Sequence, residues 1–191
     1  MIKIQELLQP ADALLIIDVQ IDFCPGGALP ITQGDRVVSV LNRWISTALS
    51  KDIPIYASRD WHPLHHISFI ESGGLWPPHC IQDSHGARFH PDLNLPENTL
   101  IITKGVRFDQ DQNSVFDQTG LAIQLRKDGV QHLFVGGLAE DVCVLAGVLD
   151  ALQEGFKVTL ITDATFPVTE EGGRAAHEKM RLAGAQFVSA E

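Results

Sequence analysis

Six short runs rich in apolar and β-branched residues, separated by segments long enough for a helix, constrain this chain more than any other feature. They cover residues 13–19, 53–57, 100–103, 133–135, 157–162 and 186–189. Between them, a helical period spans about 35–50, 119–127, 141–154 and 170–182. Strands that are apolar along their whole length are covered on both faces, which is the situation in a parallel sheet. Parallel neighbours need long crossovers, and right-handed crossovers lay helices on both sides. The expected fold is α/β: a three-layer α/β/α sandwich around a doubly wound six-stranded parallel sheet, Rossmann-like in kind. Gly129 and Gly155 fall where helix C-caps belong. No repeat, low-complexity tract or linker divides the sequence, so residues 1–191 are expected to form a single domain.

At 45 % hydrophobic content over 191 residues, the chain can bury a substantial core. Fourteen Lys and Arg against 24 Asp and Glu give a formal net charge of -10, which works against nucleic acid and anionic membrane as partners. No apolar run approaches the ~20 residues of a membrane span. Residues 1–10 lack the basic start, apolar stretch and small-residue cleavage site of a signal peptide, so a cytoplasmic location is expected. Cys24, Cys80 and Cys143 are too few and too scattered for a disulfide framework. The sequence leaves oligomeric state open, a homo-oligomer included.

Ligands of open α/β sheets bind outside the carboxyl ends of the strands. Asp18 ends the first run, Asp60 lies just past the second, Lys104 just past the third, and Cys143 opens the helix after the fourth. A single Asp at such a place is commonly a cap or turn residue. Carboxylate, amine and thiol at three strand ends together describe a site. A thiol at a helix N-terminus gains thiolate character, a carboxylate can take and return its proton, and a lysine can hold the carboxylate ionised. The residues alone equally support Cys143 as a small core residue beside Val142, Val144 and Val148.

Residues 58–98 are too long for a plain connection, and insertions of that length are usually functional. This segment carries Asp60-Trp61-His62, then His65 and His66, then Trp76-Pro77-Pro78-His79-Cys80. One carboxylate with two or three imidazoles suits a single divalent ion such as Zn, Mn or Fe. Spacing does not separate His65 from His66.

These segments together resemble the nicotinamidase branch of the isochorismatase-like cysteine hydrolases, from about residue 13 to 188. The carriers are L-L-I-I-D-V-Q-I-D-F-C-P-G-G-A-L, S-R-D-W-H-P-L-H-H-I-S-F, W-P-P-H-C, T-K-G and G-G-L-A-E-D-V-C-V, in that order. The resemblance implies a catalytic triad of Asp18, Lys104 and Cys143, and metal ligands Asp60, His62, His66 and His79. It takes His66 over His65 because the family ligand precedes one residue and then Ser-Phe. It implies Phe23 and Trp76 as the aromatics that sandwich a pyridine ring, with Leu138 also at the substrate. It implies a cis peptide between Leu138 and Ala139, with the amides of Ala139 and Cys143 serving an oxyanion. The implied activity is hydrolysis of nicotinamide, and of pyrazinamide, to the acid and ammonia through a Cys thioester, in NAD salvage.

The chain departs from the family at two points. Glu140-Asp141 stands where Thr-Asp is common, and Glu140 is expected to face solvent as a first-turn acid. Asn113 replaces a Tyr that can line the pocket, which bears on substrate preference. The nearest alternative is a related cysteine amidohydrolase acting on another carboxamide or a carbamoyl compound, relatives that generally lack the Asp-x-His and Pro-Pro-His set. A non-catalytic binding module on the same fold is the alternative of a different class.

Overall fold

The computed structural model describes residues 3–189. In chain order its elements are α1 (Ile4–Leu7), β1 (Asp12–Ile17), α2 (Val37–Ser50), β2 (Ile55–Asp60), β3 (Leu100–Lys104), α3 (Leu121–Lys127), β4 (His132–Leu138), α4 (Leu145–Gln153), β5 (Lys157–Phe166), α5 (Glu170–Ala183) and β6 (Gln186–Val188). All six strands pair in parallel, in the order β3-β2-β1-β4-β5-β6. The chain winds outward from β1 through β2 to β3, then crosses back to β4 on the other side of β1. The strand order therefore reverses between β1 and β4, where a crevice opens at the carboxyl ends.

Every residue of β1 is buried, which explains its unbroken apolar run. Leu14 and Ile16 pack with Leu41 and Trp44 of α2 on one face. Leu15 and Ile17 pack with Val148 of α4 and Met180 of α5 on the other. Side chains alternate across a strand, so one strand seeds both cores. Truncating Leu14 to Ala would cost about 2–5 kcal/mol in such packing.

The elements differ from the sequence expectation mainly at their ends. β4 and β5 run longer, because Gly136-Gly137 and Asp163 look like turn residues yet lie inside pairing strands, with the β4–β5 register shifting between Val135 and Gly137. Gly137 has φ +131, and a Cβ there would lie 2.0 Å from the Ile17 carbonyl oxygen. Only glycine lets β1 and β4 approach so closely at the reversal point. The expected helix from 141 begins instead with a π turn, Glu140–Val144, and α4 proper starts at Leu145. Gly129 and Gly155, at φ +75 and +89, follow the ends of α3 and α4 as expected.

Residues 61–99 hold only one short 3-10 turn, Ile70–Ser72. Bridges Gln20 to Phe89 and His62 to Ile81 tie this excursion across the strand ends. Among the described residues no helix is long and apolar enough to cross a membrane.

Candidate active site and metal cluster

β1 delivers Asp18 to the crevice in a left-handed conformation, φ +50. Its Oδ1 accepts a hydrogen bond from Ser58 Oγ of β2 at 2.7 Å. Its Oδ2 lies 2.8 Å from Lys104 Nζ, the last residue of β3. That contact is a charge pair without hydrogen-bond alignment, so Oδ2 remains a buried acceptor with no aligned donor. The ammonium also meets Asp60 Oδ1 at 2.5 Å, the Gln112 carbonyl at 3.3 Å and Cys143 Sγ at 3.5 Å. Lys104 is 1 % exposed. A lysine this deep keeps its proton only if anions repay the lost hydration. Burial pulls its pKa down, but Asp18 and Asp60 outweigh burial and hold it well above the usual lysine value.

Burial pushes the Asp18 carboxyl above the usual carboxylate range, with Lys104 pulling the other way. Burial likewise pushes the Cys143 thiol well up, and Lys104 offsets this only in part. Burial thus opposes the thiolate that the helix dipole and Lys104 favour. Cys143 sits inside the π turn, buried at the wall of the cavity. Asp18 Oδ2, buried against the same cluster, is the group able to take the proton.

The second cluster forms beside the first. One ligand atom each from Asp60, His62 and His79 lie within 4.8 Å of one another. Donors bound to one ion at about 2.0–2.2 Å stand no farther apart than that, so the spacing suits a single metal. His62 Nδ1 lies 3.0 Å from the Gly105 carbonyl and His79 Nδ1 lies 2.8 Å from the Pro77 carbonyl. Each contact places a proton on Nδ1 and leaves the Nε2 lone pair for a ligand. Burial lowers the His79 pKa, which keeps that ring neutral. Burial lowers that of His62 too, but Asp60 outweighs it and holds the ring up. Burial also raises Asp60, but Lys104 and His62 outweigh it and keep the carboxylate ionised.

His66 stands apart from this trio. Its ring stacks on His62 at 4.1 Å between centroids, but Nδ1 faces Ser68 Oγ at 2.7 Å and Nε2 faces the Gln110 carbonyl at 3.0 Å. Both nitrogens are thus engaged, and the expected fourth ligand is not among the converging donors.

Asp60, His62, His79 and Cys143 share one cavity with Phe23 and Trp76. Ile31, Val142 and Val168 form its apolar wall, while Asp111 and Asn113 stand at the mouth. The Leu138–Ala139 peptide bond is cis. The Ala139 carbonyl accepts from Val142 and Val144, passing over the Cys143 N–H between them.

Residues 12–191 match the family model for the isochorismatase domain. The chain belongs to the isochorismatase family. Within it, the chain is 39 % identical to the nicotinamidase of Escherichia coli (strain K12), with 92 % of each chain covered. It superimposes on the pyrazinamidase of Pyrococcus horikoshii in complex with zinc with a TM-score of 0.91, at 43 % identity over 94 % of this chain and 99 % of that one. It also superimposes on PnC1 from L. infantum in complex with nicotinate, with a TM-score of 0.86 and 37 % identity over 93 % and 92 %.

Two expectations for this isochorismatase-family chain are corrected. Leu138 is fully buried in the α2-side core and does not line the cavity, because the strand directs its side chain into that layer. Glu140 does not face solvent. It is 5 % exposed, and its Oε2 lies 3.1 Å from His177 Nε2 of α5, which packs over the turn.

Four residues that hold the site are given no role by the sequence reading, although Gln20, Asp22 and Ser58 stand inside the quoted motifs. The buried Gln20 side chain accepts from the Asp60 N–H and donates to the Asp60 carbonyl, both at 2.8 Å. Asp22 accepts from the Cys80 N–H at 2.7 Å, anchoring the backbone beside His79. Gln112 accepts from the Gly105 N–H at 2.9 Å, and Ser58 orients Asp18. Their signal was a polar residue within a strand or beside a known ligand, which is common in turns.

Proposed function

We propose that this chain is a nicotinamidase, a cysteine amidohydrolase that converts nicotinamide, and also pyrazinamide, to the pyridine or pyrazine acid and ammonia. One observation carries the reading: a buried thiol, backed by a buried ammonium that pairs with a buried carboxylate, lines a cavity together with two aromatic residues and a three-donor metal cluster. Similarity to the E. coli nicotinamidase over nearly the whole chain supports the substrate class. The single continuous sheet supports residues 1–191 acting as one domain.

In the proposed mechanism the flat ring enters between Phe23 and Trp76, whose faces offer stacking area. Asp60, His62 and His79 would hold a divalent ion (Zn, Mn or Fe), which supplies a Lewis-acid position for the pyridine nitrogen when bound. His66 would join only if its Nε2 left the Gln110 carbonyl. Asp18 takes the Cys143 proton, and the thiolate attacks the carboxamide carbon. The Ala139 and Cys143 N–H groups receive the developing oxyanion. Lys104 compensates the negative charge as it passes from Asp18 to the sulfur. Asp18 returns the proton to the leaving ammonia, giving a thioester. Asp18 then takes a proton from water, which attacks the thioester; Asp18 returns that proton to the leaving sulfur, restoring the Cys143 thiol, and the released acid ionises to nicotinate.

The test is ammonia release from nicotinamide by the purified protein, before and after chelation and with Zn, Mn or Fe restored. Turnover removed by chelation and restored by metal is the expected result. No turnover with any metal, from folded protein, would overturn the nicotinamidase reading in favour of another carboxamide.

A further inference from the structure

The π turn that carries Cys143 is held by two successive i→i+5 bonds, from the Val144 N–H to the Ala139 carbonyl at 3.0 Å and from the Leu145 N–H to the Glu140 carbonyl. The Ala139 carbonyl is shared by two amides, and the Leu145 N–H is shared between the Glu140 and Val142 carbonyls. Val142 and Val144 contribute apolar contacts only. Apart from the contact of Cys143 Sγ with Lys104, the acids Glu140 and Asp141 supply the polar contacts of the turn's side chains, and both reach toward α5 and the loop before it. Asp141 Oδ1 accepts from the Val168 N–H at 2.8 Å, and Val168 is part of the cavity wall. Glu140 goes deeper, to His177 on the second turn of α5, where Oε2 and Nε2 stand 3.1 Å apart as an ion-pair contact without hydrogen-bond alignment.

A buried carboxylate is stable only with a compensating partner. The groups facing Glu140 are His177 from α5 and the like-charged Asp141 from its own turn, and burial pushes its carboxyl upward against the pull of His177. The helix is built to come this close: a Cβ at Gly173 would lie 3.0 Å from Glu140 Oε1 and 2.8 Å from Pro167 Cγ. His177 is itself backed by Phe187 of β6, at 5.2 Å between ring centroids.

We infer that Glu140 and His177 form a positioning pair for Cys143, fastening the π turn to α5 and so fixing where the thiol stands relative to Asp18 and Lys104. The inference rests on Cys143 being the nucleophile. Neither member of the pair lines the cavity, and neither touches the Asp60, His62 and His79 cluster. Their effect passes through the turn, three residues from the sulfur. A shift of about 1 Å in a reacting group is enough to cost on the order of a hundredfold in rate.

The experiment compares metal-loaded wild type with His177→Ala, His177→Gln and the double variant Glu140→Gln/His177→Ala. It measures kcat, KM for nicotinamide, the rate of Cys143 alkylation by iodoacetamide read by mass spectrometry, metal per chain and Tm. Loss of the pair lowers kcat and the alkylation rate together in His177→Ala, by roughly ten- to a hundredfold, with KM and metal content little changed. His177→Gln, whose amide offers a neutral donor at the same place, recovers most of both. The double variant is no worse than His177→Ala, because the two residues act as one unit. The inference is overturned by full kcat in folded His177→Ala, by a change confined to KM, by losses that follow metal or folded fraction, or by multiplicative losses in the double variant. If His177→Ala does not fold, the outcome is read from His177→Gln and the double variant by the same criteria. Wild-type enzyme that keeps its turnover after complete Cys143 alkylation would instead remove the nucleophile reading itself.

Discussion

Asp18 and Lys104 stand on the ends of hydrogen-bonded strands, and Cys143 follows a third strand by one turn, whereas His62, His66 and His79 ride on the irregular 61–99 excursion. The two groups adjoin and share Asp60, whose Oδ1 faces Lys104 while Oδ2 lies 3.5 Å from His62. They are nevertheless fixed by different means. The strand-borne charges are held by the sheet and by one another, which works because neighbouring strands cannot slide without breaking their ladders. The histidines are held one at a time, each by a ring N–H against a backbone carbonyl. Charge-on-strand construction gives a reacting centre that does not need a metal to keep its shape. Ring-on-loop construction gives a ligand set in which a single residue, His66, can sit out of line.

If that division holds, Cys143→Ala has the largest effect, lowering turnover by about 10⁴-fold or more while metal content and Tm stay near wild type. Metal lost in that variant would show that the two centres are one structural unit. His79→Ala should remove metal binding and lower turnover by at least a hundredfold, with the far-UV circular dichroism unchanged. Unfolding would mean that the excursion depends on the ion for its fold. Lys104→Met strands two buried carboxylates and is expected to cost about 3–5 kcal/mol of stability in denaturant titration. A neutral result would show that Asp18 or Asp60 takes up a proton without penalty.

A pH profile sharpens the same contrast. The Asp18 carboxyl is raised by burial, so falling pH protonates this base first, while Asp60, held low by Lys104, stays ionised. At saturating metal, the acid limb of kcat/KM should lie above the ordinary Asp value of about 3.9, and a limb at or below it contradicts Asp18 as the base. The smallest effect is expected for His66→Ala, with metal affinity falling less than about tenfold. A loss equal to that of His79→Ala, measured by competition with a chelator, would place His66 among the ligands of the loaded protein.

The sheet, its parallel sense and the strand ends that bear Asp18, Asp60 and Lys104 were legible because unbroken apolar runs admit few other folds. The convergence of Asp60, His62 and His79 followed from their residue types and from resemblance. Less legible were features set by three-dimensional approach. The extension of β4 through Gly136-Gly137 hid behind a pair that reads as a turn. The inward course of Glu140 depends on Gly173 and His177, more than thirty residues away, so a first-turn acid gave no hint of it. His66 came from the family resemblance, and a motif does not report that Ser68 and Gln110 occupy its ring. Gln20 and Gln112 are ordinary polar residues until the backbones they bridge are side by side.

The 2.0 Å that a Cβ at Gly137 would leave to the Ile17 carbonyl has a bearing on how such a catalyst can diversify. Beneath the reacting groups, main chain lies against main chain, and there is no side chain to exchange for a larger or smaller one. Variation has only the rim left to it: Leu29 to Ile31 on one side, Asp111 and Asn113 on another, Val168 on a third. A lineage built on this floor can change which amide it admits without altering how the bond is cut.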